Sequence, residues 1–168
     1  MVIILLRHAK AVPSTGDLPD FERPLRPKGI KQCSALAEAI PDVLEFTEGI
    51  RPRIWCSPAY RTRQTLAYSL PWAQRMPNVA TEDLPRYPDW LYLAESPRYQ
   101  LEFLADGNDR PLLIIGHNNG ISDWAYELTG GKASPLGTCH FIVLRHIGDH
   151  LSGLYQTVHR WEPPKFMD

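Results

Sequence analysis

The sequence predicts an α/β fold, a three-layer α/β/α sandwich on a mixed, mostly parallel sheet. Three observations carry that expectation. Val2-Ile3-Ile4-Leu5-Leu6 and Leu112-Leu113-Ile114-Ile115 are continuous apolar runs, the pattern of strands buried on both faces. Segments of helical period separate the strand candidates, as crossovers between parallel strands require. Two further strand candidates, 140–146 and 151–161, flank Gly148-Asp149 and read as a hairpin, which makes part of the sheet antiparallel.

Each element has a local reason. The first strand runs into Arg7-His8, after which residues 11–25 turn polar and proline-containing, a loop. From Pro27, Ile30, Cys33, Ala37 and Ile40 fall near one helical face until Pro41 stops the helix. Arg53-Ile54-Trp55-Cys56 is a short strand. Ser57-Pro58 then reads as a cap followed by a first-turn proline, opening a helix that runs to about Leu70. Residues 71–97 hold Pro71, Pro77, Pro85, Pro88 and Pro97 without a clean period, a long irregular excursion placed beside the site. Ser96-Pro97 repeats the cap-and-proline signature for a helix over 99–104 that ends near Gly107. After the second apolar strand, residues 116–120 turn into a helix that reaches Gly130-Gly131.

Composition bounds the function. The chain has 168 residues, which suits a single domain over 1–168. Its net charge is -1, so no global field argues for nucleic acid or for an anionic membrane surface. The longest apolar run, 2–6, falls far short of the roughly 18 residues of a membrane span. Arg7 and His8 follow it directly, where a secretory signal would place its cleavage site. Cys33, Cys56 and Cys139 are odd in number and lack paired metal-type spacing, so a reduced, cytoplasmic setting is expected. Oligomeric state is not legible.

Chemistry concentrates where strands end. One apolar strand runs into Arg7-His8 and the other into Gly116-His117-Asn118. Ligands of open α/β sheets bind beyond the carboxyl ends of the strands, so two histidines far apart in sequence can meet in one crevice. The third strand leads through Ser57 to Arg61, which can reach the same rim from the first helical turn. Two arginines, two histidines and exposed amides describe a phosphoryl pocket. Planar guanidinium forks suit phosphate oxygens, and a neutral imidazole nitrogen can attack phosphorus. Nearby positive charge disfavours imidazolium and keeps the attacking nitrogen free near neutral pH.

These residues also carry a resemblance. Leu6-Arg7-His8-Ala9 resembles the opening Arg-His-Gly motif of the histidine phosphatase superfamily, the phosphoglycerate-mutase-like proteins. Ser57-Pro58-Ala59-Tyr60-Arg61-Thr62-Arg63-Gln64-Thr65 is similar to that family's second-arginine segment, and Gly116-His117-Asn118 to its second-histidine motif. The three occur in the family's order. Arg23-Pro24-Leu25, Asn119-Gly120-Ile121-Ser122 and Leu128-Thr129-Gly130 resemble the SixA-type phosphohistidine phosphatases within it. The resemblance implies a phosphoglycerate-mutase-like fold and a phosphatase without metal or cofactor. It makes His8 the phosphoryl acceptor and Arg7 and Arg61 the phosphate clamps. His117 would donate to a phosphoryl oxygen, and Asn118 and Ser57 join the phosphate-binding set. A phosphorylated protein or a small phosphorylated molecule would be the partner.

Three positions depart from the family pattern. Ala9 stands for the usual glycine, and Arg26 for the Thr or Ser that caps the first helix. The catalytic glutamate of the mutase and phosphomonoesterase branches has no matching motif. Glu82, Asp83, Asp89 and Glu95 are the carboxylates in that stretch, with Glu95 and Asp89 the possible general acids. Expelling an alkoxide needs a positioned acid, whereas expelling imidazole from phosphohistidine asks less. The sequence therefore favours phosphohistidine or another activated phosphoryl group. A small-molecule phosphomonoesterase, acting on a sugar or nucleotide phosphate, and a non-catalytic phosphoryl-binding module are the alternatives. His140, His146, His150 and His159 read as ordinary strand or turn residues, and Arg63, on another helix face from Arg61, as structural. Arg26, Lys28 and Lys31 read as a solvated helix start partly offset by Asp20 and Glu22.

Overall fold

The computed structural model describes residues 1–70, 84–148 and 153–167. Its strands are β1 (Val2–Arg7), β2 (Arg53–Cys56), β3 (Leu112–Gly116), β4 (Phe141–His146) and β5 (Tyr155–Trp161). They form one sheet in the order β2-β3-β1-β4-β5. β1, β3 and β2 run parallel, while β4 and β5 pair antiparallel, as the sequence predicts for a mixed sheet. The helices are α1 (Pro27–Ala39), α2 (Val43–Phe46), α3 (Tyr60–Ser69), α4 (Ser96–Asp106) and α5 (Gly120–Leu128).

The continuous apolar runs are explained by two separate cores. Val2, Ile4 and Leu6 face one way and pack with Cys33 and Leu36 of α1 and Leu66 of α3. Ile3 and Leu5 face the other way and join Tyr99 of α4 with Ile121, Trp124 and Leu128 of α5. Side chains alternate across a strand, so only a sheet covered on both faces needs every position apolar. This is the three-layer sandwich that the sequence predicts. Among the described residues no helix is long and apolar enough to cross a membrane.

Local details differ from the sequence reading. The first helix does not stop at Pro41. A 3-10 turn over Ile40–Asp42 carries the chain into α2, because proline fits the start of a turn, where no amide need be bonded. α3 begins at Tyr60 with Ala59 as its cap residue, so Ser57 is not the helix cap; its hydroxyl is held by the site instead. α4 begins at Ser96 with Glu95 preceding it, and the Ser96 hydroxyl donates to Glu127 Oε1 at 2.7 Å, tying α4 to α5. Part of the irregular excursion is pinned to the sheet. The Arg86 amide donates to the Ile54 carbonyl at 2.9 Å and the Cys56 amide to the Arg86 carbonyl at 2.8 Å. A short 3-10 turn follows over Asp89–Leu91. Residues 71–83, with Pro71, Pro77, Glu82 and Asp83, lie outside the described residues, as do Asp149 and His150 of the hairpin turn.

Candidate active site

Strand register brings the predicted residues together. Arg7 stands opposite Gly116 in the β1–β3 ladder, and Cys56 opposite Ile115 in the β2–β3 ladder. His8, Ser57 and His117 are therefore the next residues out of three neighbouring strands. The ladder continues one step past the strands: the His8 amide reaches the Gly116 carbonyl at 3.2 Å and the Ser57 amide the Ile115 carbonyl at 3.0 Å. The Cys139 amide closes the turn from the other side, donating to the carbonyls of Arg7 (3.1 Å) and His8 (3.0 Å). Arg7, His8, Arg61, His117 and Asn118 all line one cleft of about 390 Å³ beyond the strand ends.

Hydrogen bonds assign each ring nitrogen. A carbonyl oxygen only accepts, so His8 Nδ1–H donates to the Ala9 carbonyl at 2.7 Å and leaves Nε2 unprotonated, as an acceptor. A guanidinium only donates, so Arg61 Nε–H points at His8 Nε2 (3.3 Å) and Arg61 Nη2–H at His117 Nδ1 (3.2 Å). His117 then carries its hydrogen on Nε2 and donates it to the Ser57 hydroxyl at 2.6 Å. The two rings lie 5.2 Å apart between centroids.

Electrostatics keep both rings neutral. Burial above all, and then the Arg61, Arg7 and Arg23 charges, push His8 down to about 3, against the opposing Ala9 hydrogen bond. Burial, His8 and Arg61 push His117 down to about 2. Positive charge acts in the direction the sequence predicts, but desolvation is the larger cause. Arg7 donates Nη1–H to the Leu136 carbonyl at 3.0 Å, its Nε is buried without a hydrogen-bond partner, and no carboxylate among the described residues pairs with it. A half-buried guanidinium lacking a counter-ion is suited to an incoming anion. Asn118 holds the turn: its Nδ2–H donates to the same Leu136 carbonyl at 3.0 Å, and its Oδ1 accepts from Ser122 Oγ at 2.6 Å.

Not every candidate arrives. Asp89 and Glu95 are exposed and do not line the cleft. Arg63 turns away and lies 5.6 Å from the Tyr87 ring centroid. His146 packs on Tyr155, and His159 stacks on Phe46. The carboxylate that does line the cleft is Asp20, which the sequence presents only as a counter-charge near the first helix. It stands in a 3-10 turn over Asp20–Glu22 and binds Arg23, Arg61 and Tyr92. Its three-residue spacing to Arg23 was the available signal. Nothing local marks Tyr92. Lys10, Arg23 and Arg26 complete a predominantly cationic wall.

No protein-family model and no curated protein sequence matches the chain. Solved structures do. SixA from Agrobacterium tumefaciens, named as a phosphohistidine phosphatase, gives a TM-score of 0.74 at 22% identity, covering 96% of this chain and 98% of that one. The protein histidine phosphatase SixA complexed with tungstate gives 0.70 at 20% identity, covering 97% of each. A protein from Nakamurella multipartitia, also named as a phosphohistidine phosphatase SixA, gives 0.70 at 24% identity, covering 98% of this chain and 96% of that one. This chain shares their fold, the phosphoglycerate-mutase-like α/β fold.

Proposed function

We propose that the chain is a phosphatase that passes a phosphoryl group first to His8 and then to water. The observation that carries this reading is the Arg61 guanidinium edge that faces His8 Nε2 and His117 Nδ1 together. A phosphoryl group placed between the rings would take two parallel hydrogen bonds from that edge, and the His8 Nε2 lone pair, released from Arg61, would face phosphorus. In the first step a His8 Nε2–P bond forms as the bond to the leaving group breaks. In the second, water oxygen attacks the same phosphorus, the N–P bond breaks back to His8, and inorganic phosphate leaves. Arg7 and Arg61 offset charge on the transferring group, where positioning and electrostatics supply most of the catalysis. The Ser57 hydroxyl can donate as well as accept. When oxyanion displaces Arg61 from His117 Nδ1, water can take the Nε2 hydrogen and deliver one to Nδ1; Ser57 then turns its own hydrogen toward the bare Nε2, and His117 presents Nδ1–H to a phosphoryl oxygen.

The cleft wall supports one substrate class over the others. Its carboxylate, Asp20, is held well below the usual carboxylate range by the Tyr92 hydroxyl, Arg23 and Arg61, against the opposing pull of desolvation. A group ionised at neutral pH has no proton for an alkoxide. Imidazole leaves without one more readily, which supports protein phosphohistidine or another activated phosphoryl compound as substrate. The neighbour complexed with tungstate, a tetrahedral oxyanion, is consistent with the pocket's shape. The test is a panel of phosphohistidine protein and phosphoramidate against sugar phosphates and p-nitrophenyl phosphate, with His8→Ala beside the wild type. The expected result is preference for the N-phosphoryl compounds, an acid-labile phosphoryl group on His8, and no turnover by His8→Ala. Retained turnover in that variant refutes the mechanism. Preference for the esters refutes the substrate class.

A further inference from the structure

Arg61 is nearly completely buried, at 1% exposed, and its guanidinium is gripped on two edges. One edge, Nε and Nη2, faces the imidazoles. The other, Nη1 and Nη2, is held by one residue: Nη1–H donates to the Asp20 carbonyl at 2.7 Å and Nη2–H to Asp20 Oδ2 at 3.1 Å. We infer that Asp20 is the positioning residue of the site, fixing the far edge of Arg61 so that the near edge stays aimed at the phosphoryl group between His8 and His117. The inference rests on the reading of Arg61 as the phosphoryl fork.

Three contacts keep Asp20 in place. Tyr92 donates its hydroxyl hydrogen to Oδ2 at 2.6 Å. Arg23 donates Nε–H at 2.9 Å and Nη2–H at 2.6 Å to Oδ1, and its Nη1–H reaches the Val12 carbonyl at 2.6 Å, fastening the turn to the preceding loop. The Tyr92 ring stands edge-on to both Phe21 (5.0 Å) and His117 (5.6 Å), so it spans the Asp20 turn and the second histidine. With Oδ1 and Oδ2 both accepting two hydrogen bonds, the carboxylate is committed to this scaffold. An arriving phosphoryl oxygen need displace only the imidazole nitrogens from Arg61. The Asp20 edge persists through binding, so the fork is already oriented when substrate arrives.

The experiment uses Asp20→Asn and Tyr92→Phe in the full chain, with tungstate as probe. Tungstate affinity is measured by calorimetry, and the ring nitrogens of His8 and His117 by long-range 1H–15N NMR. Asp20→Asn should weaken tungstate binding about tenfold or more and shift the His8 Nε2 resonance as the Arg61 hydrogen bond loosens. Tyr92→Phe should move both readouts the same way by a smaller factor, and it decides the matter if Asp20→Asn does not fold. Unchanged affinity with unchanged ring signals overturns the inference. Tighter tungstate binding in Asp20→Asn also overturns it, because Asp20 would then be competing with the anion for Arg61. Wild type that binds tungstate without turning over any phosphoryl compound would end the phosphatase reading alone. Positioning by Asp20 would still be judged from tungstate and the ring signals.

Discussion

The neutral state of the two site histidines makes a measurable demand on stability. In the unfolded chain each ring titrates near its ordinary value of about 6.5. In the folded protein burial and arginine charge push His8 down to about 3 and His117 to about 2. Between those values the unfolded state binds more protons, so stability rises with pH across that window and is lost on acidification. From pH 7 to pH 5 each ring should cost about 2 kcal/mol, taking 1.36 kcal/mol per unit below the unfolded value, and the pair about 4 kcal/mol. His140, also lowered by burial, adds in the same direction. Asp20 does not contribute there: its folded value lies below its unfolded one, so its contribution is lost only below about pH 4. The assay is urea unfolding at half-unit steps from pH 7.5 to 5, for the wild type and for His8→Asn and His117→Asn. Each variant should remove about half of the slope. A wild-type stability that is flat over this range, or 15N shifts showing both rings as imidazolium at pH 6, would refute the electrostatic account of the two rings.

Three more outcomes are expected. Ser57→Ala leaves the buried His117 Nε2–H without its acceptor, a loss of about 1–3 kcal/mol, and should lower kcat/KM roughly tenfold in steady-state assays. Gly120→Ala would drive a Cβ into the Ala94 carbonyl oxygen where α5 meets the segment before α4. It should cost about 2 kcal/mol and lower Tm by roughly 4–8 °C in a thermal melt. Glu95→Gln and Asp89→Asn, both exposed and away from the cleft, should leave kcat on phosphoramidate within about twofold of wild type.

What was legible in the sequence is what sequence-local physics controls. Apolar runs announced β1 and β3 because burial on two faces removes every polar position. Arg7, His8 and His117 stand out as candidates because they follow those runs directly, and Arg61 because it lies one helical turn past the third strand. Tertiary competition hid the rest. Ser57 had the chemistry of a cap, but a buried imidazole is the stronger claimant on its hydroxyl. Asp20 and Glu22 look alike in a polar loop, and only Asp20 meets Arg61 and Tyr92, residues 41 and 72 positions away. Asp89 and Glu95 fell in the right stretch of chain, yet the pairing of Arg86 with β2 and the start of α4 at Ser96 leave both facing solvent.

A strand apolar on both faces gives no polar penalty for slipping by one residue, so hydrophobicity alone cannot hold His8 level with His117. The strand ends supply the missing constraint. Gly116, opposite Arg7, lies where a Cβ would collide with the hydroxyl of buried Tyr99, so in this register no other residue can stand there without displacing that side chain. On the other flank β4 pairs Leu6 with Phe141, and the Cys139 amide binds the carbonyls on either side of the Arg7–His8 step. A slip of β1 by one residue would break these contacts and carry His8 about 3.3 Å along the strand axis, beyond reach of Arg61. The residues that fix the sheet's register at its carboxyl end are therefore the immediate neighbours of those that would do the chemistry, and the fold and the site are specified by the same few positions.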